Sequence, residues 1–186
     1  GIDCLKLIES KIKDESNNYC VECGEERPEY ISINNGVFLC GECIHNHLKL
    51  PQEISTIIKN DLESLTLSEI QFIFCGGNKN LLNFINNEFP KLNEFPPNLL
   101  YRTAAMYYYR KRLEYFINGG KEPKKPIKQN GYKIIADGTD KTEDSEFYDS
   151  INNEVNLYKI GEYNKNQNKT FNTYNRVHWR RINKNL

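Results

Sequence analysis

The chain has 186 residues, 38% apolar and 27% charged, and its 25 basic side chains balance 25 acidic ones. That length allows one domain with an appendage, or two small domains. A formal net charge of zero argues against a dedicated nucleic-acid binder, which needs a basic face. No apolar run approaches membrane-spanning length, and no basic, apolar, cleavable leader opens the sequence. A cytoplasmic protein in a reducing compartment is therefore expected. Leu5 stands where a myristoylation signal from Gly1 would want Ser or Thr.

In chain order, residues 2–14 are expected to form a short amphipathic helix, with Leu5, Ile8 and Ile12 on one face. Cys4 lies near that face and reads as a small buried residue. Asn17 and Asn18 end the helix. Four of the six cysteines follow as two C-x-x-C knuckles, Cys20/Cys23 and Cys40/Cys43, with sixteen residues between them. Two intervening residues let both sulfurs of a knuckle reach one point, and four thiolates at tetrahedral positions suit one structural Zn2+ ion. The competing reading is two disulfides, which paired knuckles in a chain not marked as secreted disfavour. A four-Cys site leaves no open coordination position, so such an ion would build structure.

Between the knuckles, residues 30–33 and 37–39 read as strands about the turn Asn34-Asn35-Gly36, since Gly accepts the positive φ of a tight turn. Residues 39–50 read as a helix stopped by Pro51. Ile54, Ile57 and Ile58 suggest a further short strand or buried turn. Thr66-Leu-Ser-Glu69 is a capping box ahead of a helix carrying Ile70, Ile73 and Phe74. Gly76-Gly77 breaks that helix, and Asn78 is expected to cap the next, whose apolar face includes Leu81, Leu82, Phe84, Ile85 and Phe89. A long helix is expected over residues 98–118, stopped by Gly119-Gly120. Its Tyr107-Tyr-Tyr109 run should pack rings inward and keep hydroxyls wet. Residues 121–126 read as a stiff Pro-containing linker. Beyond it an acidic block and a basic block form an extension that could dock through Phe171, Tyr174 and Trp179. Cys75 reads as small and buried.

With these residues in view, the stretch from Cys20 to Cys43 resembles the zinc finger of the ArfGAP family, activators of Arf-type small GTPases. Cys23-Gly24, Pro28, Ser32, Asn34, Gly36 and Val37-Phe38 match that family's pattern, with Tyr30 where Trp is usual. Cys75-Gly-Gly-Asn78 with Phe84, and Tyr101-Arg-Thr-Ala-Ala-Met-Tyr-Tyr-Tyr-Arg110, resemble its later motifs. The resemblance covers residues 5–118. It implies an α+β fold: a small Cys4 zinc module with a short antiparallel sheet, surrounded by helices, over residues 1–118. Residues 119–186 then form a linker and C-terminal extension. It further implies one structural Zn2+ held by Cys20, Cys23, Cys40 and Cys43, and an Arf-family GTPase as partner. Peripheral membrane or coat proteins, and recruitment to Golgi or vesicle membranes, are implied more distantly. A monomer and no bound nucleic acid are expected.

The resemblance also implies an Arg separated from the last Cys by four residues, whose guanidinium stabilises charge on the γ-phosphoryl group. Here Ile44, His45, Asn46 and His47 intervene as expected, His47 matching the family's His, but Leu48 occupies the position. On the same alignment Pro51 replaces a Gly, Glu53 a His and Ile58 a second Arg. Leu donates no hydrogen bond. Lys49 is adjacent but faces elsewhere on a helix and lacks a planar fork. Arg27, Arg102 and Arg110 have no positional support. No catalytic residue is therefore assigned, and two readings stand: a GTPase regulator with weak activation, or a non-catalytic scaffold for a GTPase, coat or trafficking partner. A GATA-like DNA finger shares the four-Cys layout, but residues 44–50 carry one Lys where a dense basic helix is needed. No P-loop is present.

Overall fold

In a computed structural model of the chain, the structure describes residues 9–135. The predicted anchors Phe171, Tyr174 and Trp179 lie outside them, as do Cys4 and most of the predicted first helix, of which residues 9–12 are described and helical. That helix ends at Ile12, short of the expected Asn17 and Asn18, which fall in a separate 3-10 turn, Glu15–Asn18; the Asn17 side-chain amide donates back to the carbonyls of Lys11 and Ile12.

Three short strands form one antiparallel sheet in the order β2-β1-β3. They are β1 (Tyr30–Ser32), β2 (Val37–Leu39) and β3 (Ile57–Lys59). Ser32 pairs with Val37 and Tyr30 with Leu39, so the predicted hairpin closes about a 3-10 turn, Ile33–Asn35, and Gly36. Gly36 has φ +64°, and a Cβ there would meet the Phe72 carbonyl oxygen at 2.7 Å and the Gly76 Cα at 3.0 Å. The hairpin turn thus lies backbone-to-backbone on the Gly76-Gly77 break, and the Gly77 N–H donates to the Gly36 carbonyl at 2.8 Å. Alternation along the strands sends Val37 and Leu39 into the main core. Ile31 and Phe38 go to a smaller cluster closed by Ile73.

Besides residues 9–12 and the 3-10 turns, six α-helical segments among the described residues surround the sheet: α1 (Ile44–His47), α2 (Leu67–Cys75), α3 (Asn78–Glu88), α4 (Pro97–Leu100), α5 (Ala104–Asn118) and α6 (Lys128–Gly131). The capping box is present in both directions: the Glu69 N–H donates to Thr66 Oγ1, and the Thr66 N–H to Glu69 Oε2 at 2.7 Å. Leu81, Leu82, Phe84, Ile85 and Phe89 are buried as expected. Phe84 lies 5.0 Å from Tyr109 and 5.4 Å from Phe89, ring centre to ring centre.

Four further expectations fail. The helix predicted over 39–50 is the single turn α1, because residues 40–43 are spent on the second knuckle and Leu50, before Pro51, is steered out of helical geometry. The helix predicted over 98–118 is cut in two. Thr103 is extended (ψ 155°) and caps α5, its Oγ1 accepting from the Met106 N–H. Asn78 does not cap α3. Gly77 holds the cap position at φ 91°, and Asn78 works as a clasp. Its Oδ1 accepts from the Phe38 N–H at 2.9 Å, and its amide donates to the carbonyls of Ser16 (2.9 Å) and Tyr19 (2.7 Å). Finally, the tyrosine hydroxyls are not all wet: Tyr109 is wholly buried and its hydroxyl has no partner among the described residues.

Past Gly119 the chain turns back along α5. Tyr132 sets its edge against Phe89 at 5.9 Å. The Ala104 N–H donates to the Lys133 carbonyl and the Ile135 N–H to the Arg102 carbonyl, both at 2.8 Å. Ile134 and Ile135 are buried.

Candidate functional site

The four knuckle cysteines converge. Their sulfurs all lie within 4.8 Å of one another, with Cys23 and Cys40 at 3.6 Å. A tetrahedral ion with bonds of about 2.3 Å to sulfur places its ligands about 3.8 Å apart, so the arrangement fits one such ion. The same spacing is far beyond a disulfide's sulfur–sulfur bond of about 2 Å, and the five described cysteines are free. Local hydrogen bonds hold the knuckles in shape: Gly24 N–H to the Cys20 carbonyl, Cys20 N–H to the Glu25 carbonyl, and Val21 N–H to the Phe38 carbonyl of β2. Backbone N–H groups also face sulfur, Glu25's at Cys23 and Cys43's at Cys40. Hydrogen bonding with Cys20, then with Cys43, pulls the Cys23 thiol down to about 4. The bonds Cys43 makes with Cys20 and Cys23 push its own thiol up. A divalent ion would take up the protons' role among these sulfurs.

Cys43 opens α1, whose single turn splits its side chains cleanly. Ile44 and His47 point inward, at 8% and 0% exposure, whereas Leu48 at its end is 61% exposed. His45 and Lys49 are also exposed. Leu48 and Lys49 follow the helix as a turn, so Lys49 does not hold the helical position expected of it.

Behind this face runs a buried polar network that sequence reasoning missed. Glu22, inside the first knuckle, accepts from the Tyr101 hydroxyl at 2.5 Å and lies 3.6 Å from His47 Nε2. His47 Nδ1 is 2.8 Å from Ser55 Oγ, which is 2.8 Å from Ser32 Oγ. The Asn35 amide donates to Ser32 Oγ and to the Ile54 carbonyl. Arg110 closes the ring, donating to the Tyr101 carbonyl at 3.0 Å and to Asn35 Oδ1 at 3.4 Å. Burial, then Glu22, raises the Tyr101 hydroxyl's pKa well above normal, so it remains a donor. Burial lowers the Arg110 guanidinium to about 10. The network explains the cut at 101–103. Tyr101 leaves the helix to reach Glu22, and Arg110, one face along α5, comes back to the freed carbonyl. Ser32, His47, Tyr101 and Arg110 were already among the residues that carry the resemblance, but nothing in their spacing announced that they meet around Glu22.

The other arginines are placed as follows. Arg110 is 3% exposed and committed to the network. Arg27 is exposed, with φ 59°, on the loop after the first knuckle. Arg102 is half-buried where residues 133–135 return. Cys75 is half-buried, and burial raises its thiol's pKa.

A family model described as "ArfGap: Putative GTPase activating protein for Arf" matches residues 5–114, more than half the chain. The chain belongs to the ArfGap family. Among curated relatives of this ArfGap chain, the ADP-ribosylation factor GTPase-activating protein 3 of Bos taurus is 29% identical over 113 residues, covering 60% of this chain and 22% of that protein. Protein GTS1 of Saccharomyces cerevisiae is 33% identical over 103 residues, covering 50% of this chain and 25% of that protein. The chain thus spans about a quarter or less of the length of these relatives. A solved structure from Cryptosporidium parvum, described as a "putative GTPase activating protein for ADP ribosylation factor", has a TM-score of 0.47 and 24% identity, covering 61% of this chain and 93% of that one. The α+β architecture, with its small antiparallel sheet, helices and cysteine cluster, is the one the sequence led us to expect.

Proposed function

We propose that this chain is a regulator that docks on an Arf-family small GTPase and, acting alone, accelerates GTP hydrolysis only weakly. One Zn2+ ion held by Cys20, Cys23, Cys40 and Cys43 is the structural cofactor of this reading. It fixes α1 and the hairpin against each other, and its four-thiolate shell leaves no position for substrate. The GTPase supplies the nucleotide and the hydrolytic machinery. What a regulator adds in this chemistry is positive charge aimed at the γ-phosphoryl oxygens, worth on the order of 10³–10⁵ in rate when an arginine delivers it. The observation that carries the proposal is Leu48: the residue leading out of the metal module is 61% exposed and apolar. It can contact a protein surface and cannot offset phosphate charge. Arg110 cannot substitute, since it is buried and hydrogen-bonded elsewhere.

The second reading is a scaffold that binds the GTPase, a coat component or another trafficking protein and contributes nothing to hydrolysis. What supports it is that Leu48, at the position the resemblance gives to an Arg, adds no positive charge for the γ-phosphoryl group. Single-turnover hydrolysis by a GTP-loaded Arf-type GTPase tests both, with the wild-type chain and with Leu48→Arg. We expect a weak effect from the wild type and a large gain from the variant. An acceleration by the wild type near 10³-fold, the scale of an arginine finger, sinks the proposal. Titration of labelled GTPase in its GDP and GTP forms separates the readings: tight binding without turnover selects the scaffold, and no binding in either form removes both.

A further inference from the structure

Residues 119–135 and α5 enclose a groove of about 840 Å³, well within the range of ligand-binding clefts. Its floor is apolar and aromatic, with Tyr107, Tyr108 and Tyr115 on one wall and Pro123, Ile127 and Ile135 on the other. Ile127 is 65% exposed, so this surface is largely uncovered by the described residues. Its rim is basic. Of the five lysines lining it, Lys111 is paired with Glu114 at 2.7 Å and Lys125 with Glu88 at 2.6 Å. Lys121, Lys124 and Lys133 are exposed and have no carboxylate partner among the described residues. An apolar floor with surplus positive charge at its edge selects for an acidic segment that also carries large apolar side chains.

We propose that the groove is the docking site of the chain's own residues 137–154. This stretch holds seven carboxylates, Asp137, Asp140, Glu143, Asp144, Glu146, Asp149 and Glu154, against one Lys, with Phe147-Tyr148 among them. It starts two residues beyond Ile135, which itself lines the groove. From Ile135 to Phe147 an extended chain reaches about 40 Å at roughly 3.3 Å per residue. The fifteen residues of α5 span only about 22 Å, so the aromatic pair can reach either end of the groove. A tethered segment meets such a site at roughly millimolar effective concentration. Modest affinity is therefore enough for occupancy, and the acidic character of the segment makes that occupancy sensitive to salt.

Zero-length carbodiimide cross-linking of the full, zinc-loaded chain tests it, with the cross-linked peptides read from the monomeric fraction. We expect amide links from Lys121 and Lys124 to the carboxylates of residues 143–149. They should be lost at high salt, and the links from Lys124 should fall in Lys121→Glu/Lys133→Glu, which keeps the Lys124 amine but reverses charge around it. A second variant, Phe147→Ser/Tyr148→Ser, keeps every carboxylate and every groove residue. Docking through the aromatic floor predicts that it too loses the links. Three outcomes overturn the proposal: no such links, links that form equally with the exposed Lys49 and Lys59 away from the groove, or links found only between two copies of the chain.

Discussion

Asn78→Ala removes one small side chain and takes a partner from three backbone groups. The Phe38 N–H loses its acceptor at 2.9 Å, and the carbonyls of Ser16 and Tyr19 lose their donor at 2.9 and 2.7 Å. Asn78 is 0% exposed and Phe38 2%, so water cannot readily replace the amide. Each buried backbone group left unpaired costs about 1–3 kcal/mol. The Phe38 N–H and the Ser16 carbonyl are buried, whereas Tyr19 is half-buried and its carbonyl can turn to water, so the sum is about 2–4 kcal/mol. Domains of this kind are stable by only about 5–15 kcal/mol, so the substitution should consume a large share of that margin. Urea unfolding of the zinc-loaded protein, followed by circular dichroism at fixed excess metal, measures the loss without confounding it with metal release. Asn78→Asp sharpens the test: it retains an acceptor for Phe38 but turns an oxygen toward two carbonyls, so it should be no milder than Ala. A loss below about 1 kcal/mol for Asn78→Ala, with the denaturant slope unchanged, would refute the account of Asn78 as a clasp.

Stripping metal with a strong chelator should unfold the knuckles and hairpin together, because binding at structural zinc sites carries roughly 10–16 kcal/mol; an unchanged circular dichroism spectrum and melting temperature in chelator would count against the ion. Tyr109→Phe should leave neutral-pH stability unchanged or raise it by up to about 1 kcal/mol, since the hydroxyl it removes is buried without a partner among the described residues; a clear loss would mean the hydroxyl is bonded. The same variant should soften alkaline unfolding. Burial raises the folded Tyr109 pKa, so the stability linked to its neutral form is complete below the unfolded value of about 10 and is lost as pH climbs above it. Denaturant midpoints from neutral pH to pH above 10 will show whether the wild type falls more steeply than Tyr109→Phe.

Features encoded within a few residues were readable in advance. The two knuckles, the Asn34-Asn35-Gly36 hairpin and the Thr66/Glu69 capping box each close over one turn of chain, so residue type and spacing carry their geometry. Arrangements joined across the sequence were not. Asn78 follows a glycine pair, which suits a helix cap, but its partners are 40 to 62 residues away. Residues 98–118 have the content of one helix, and tertiary demand overrode it: Tyr101 is needed at Glu22, 79 residues back. Tyr109 looked amphipathic, yet Phe84 and the core take the whole ring. For the candidate site, the cysteine cluster was legible and the joining of its polar backing was not, because Glu22 and Ser55 differ from surface residues only in where the fold puts them.

The Asn78 clasp also bears on how the protein is made. A ribosome delivers both cysteine knuckles well before it delivers the clasp: Asn78 lies 40 residues after the Phe38 amide it must accept from. At roughly 5–20 residues per second that interval is about 2–8 s. During it a nascent finger could already capture metal, while the amide and two carbonyls still face solvent. Loading of the ion and locking of the shell around it are thus separated in time by the order of translation, and a polypeptide arrested between them would be a metallated but unlatched intermediate.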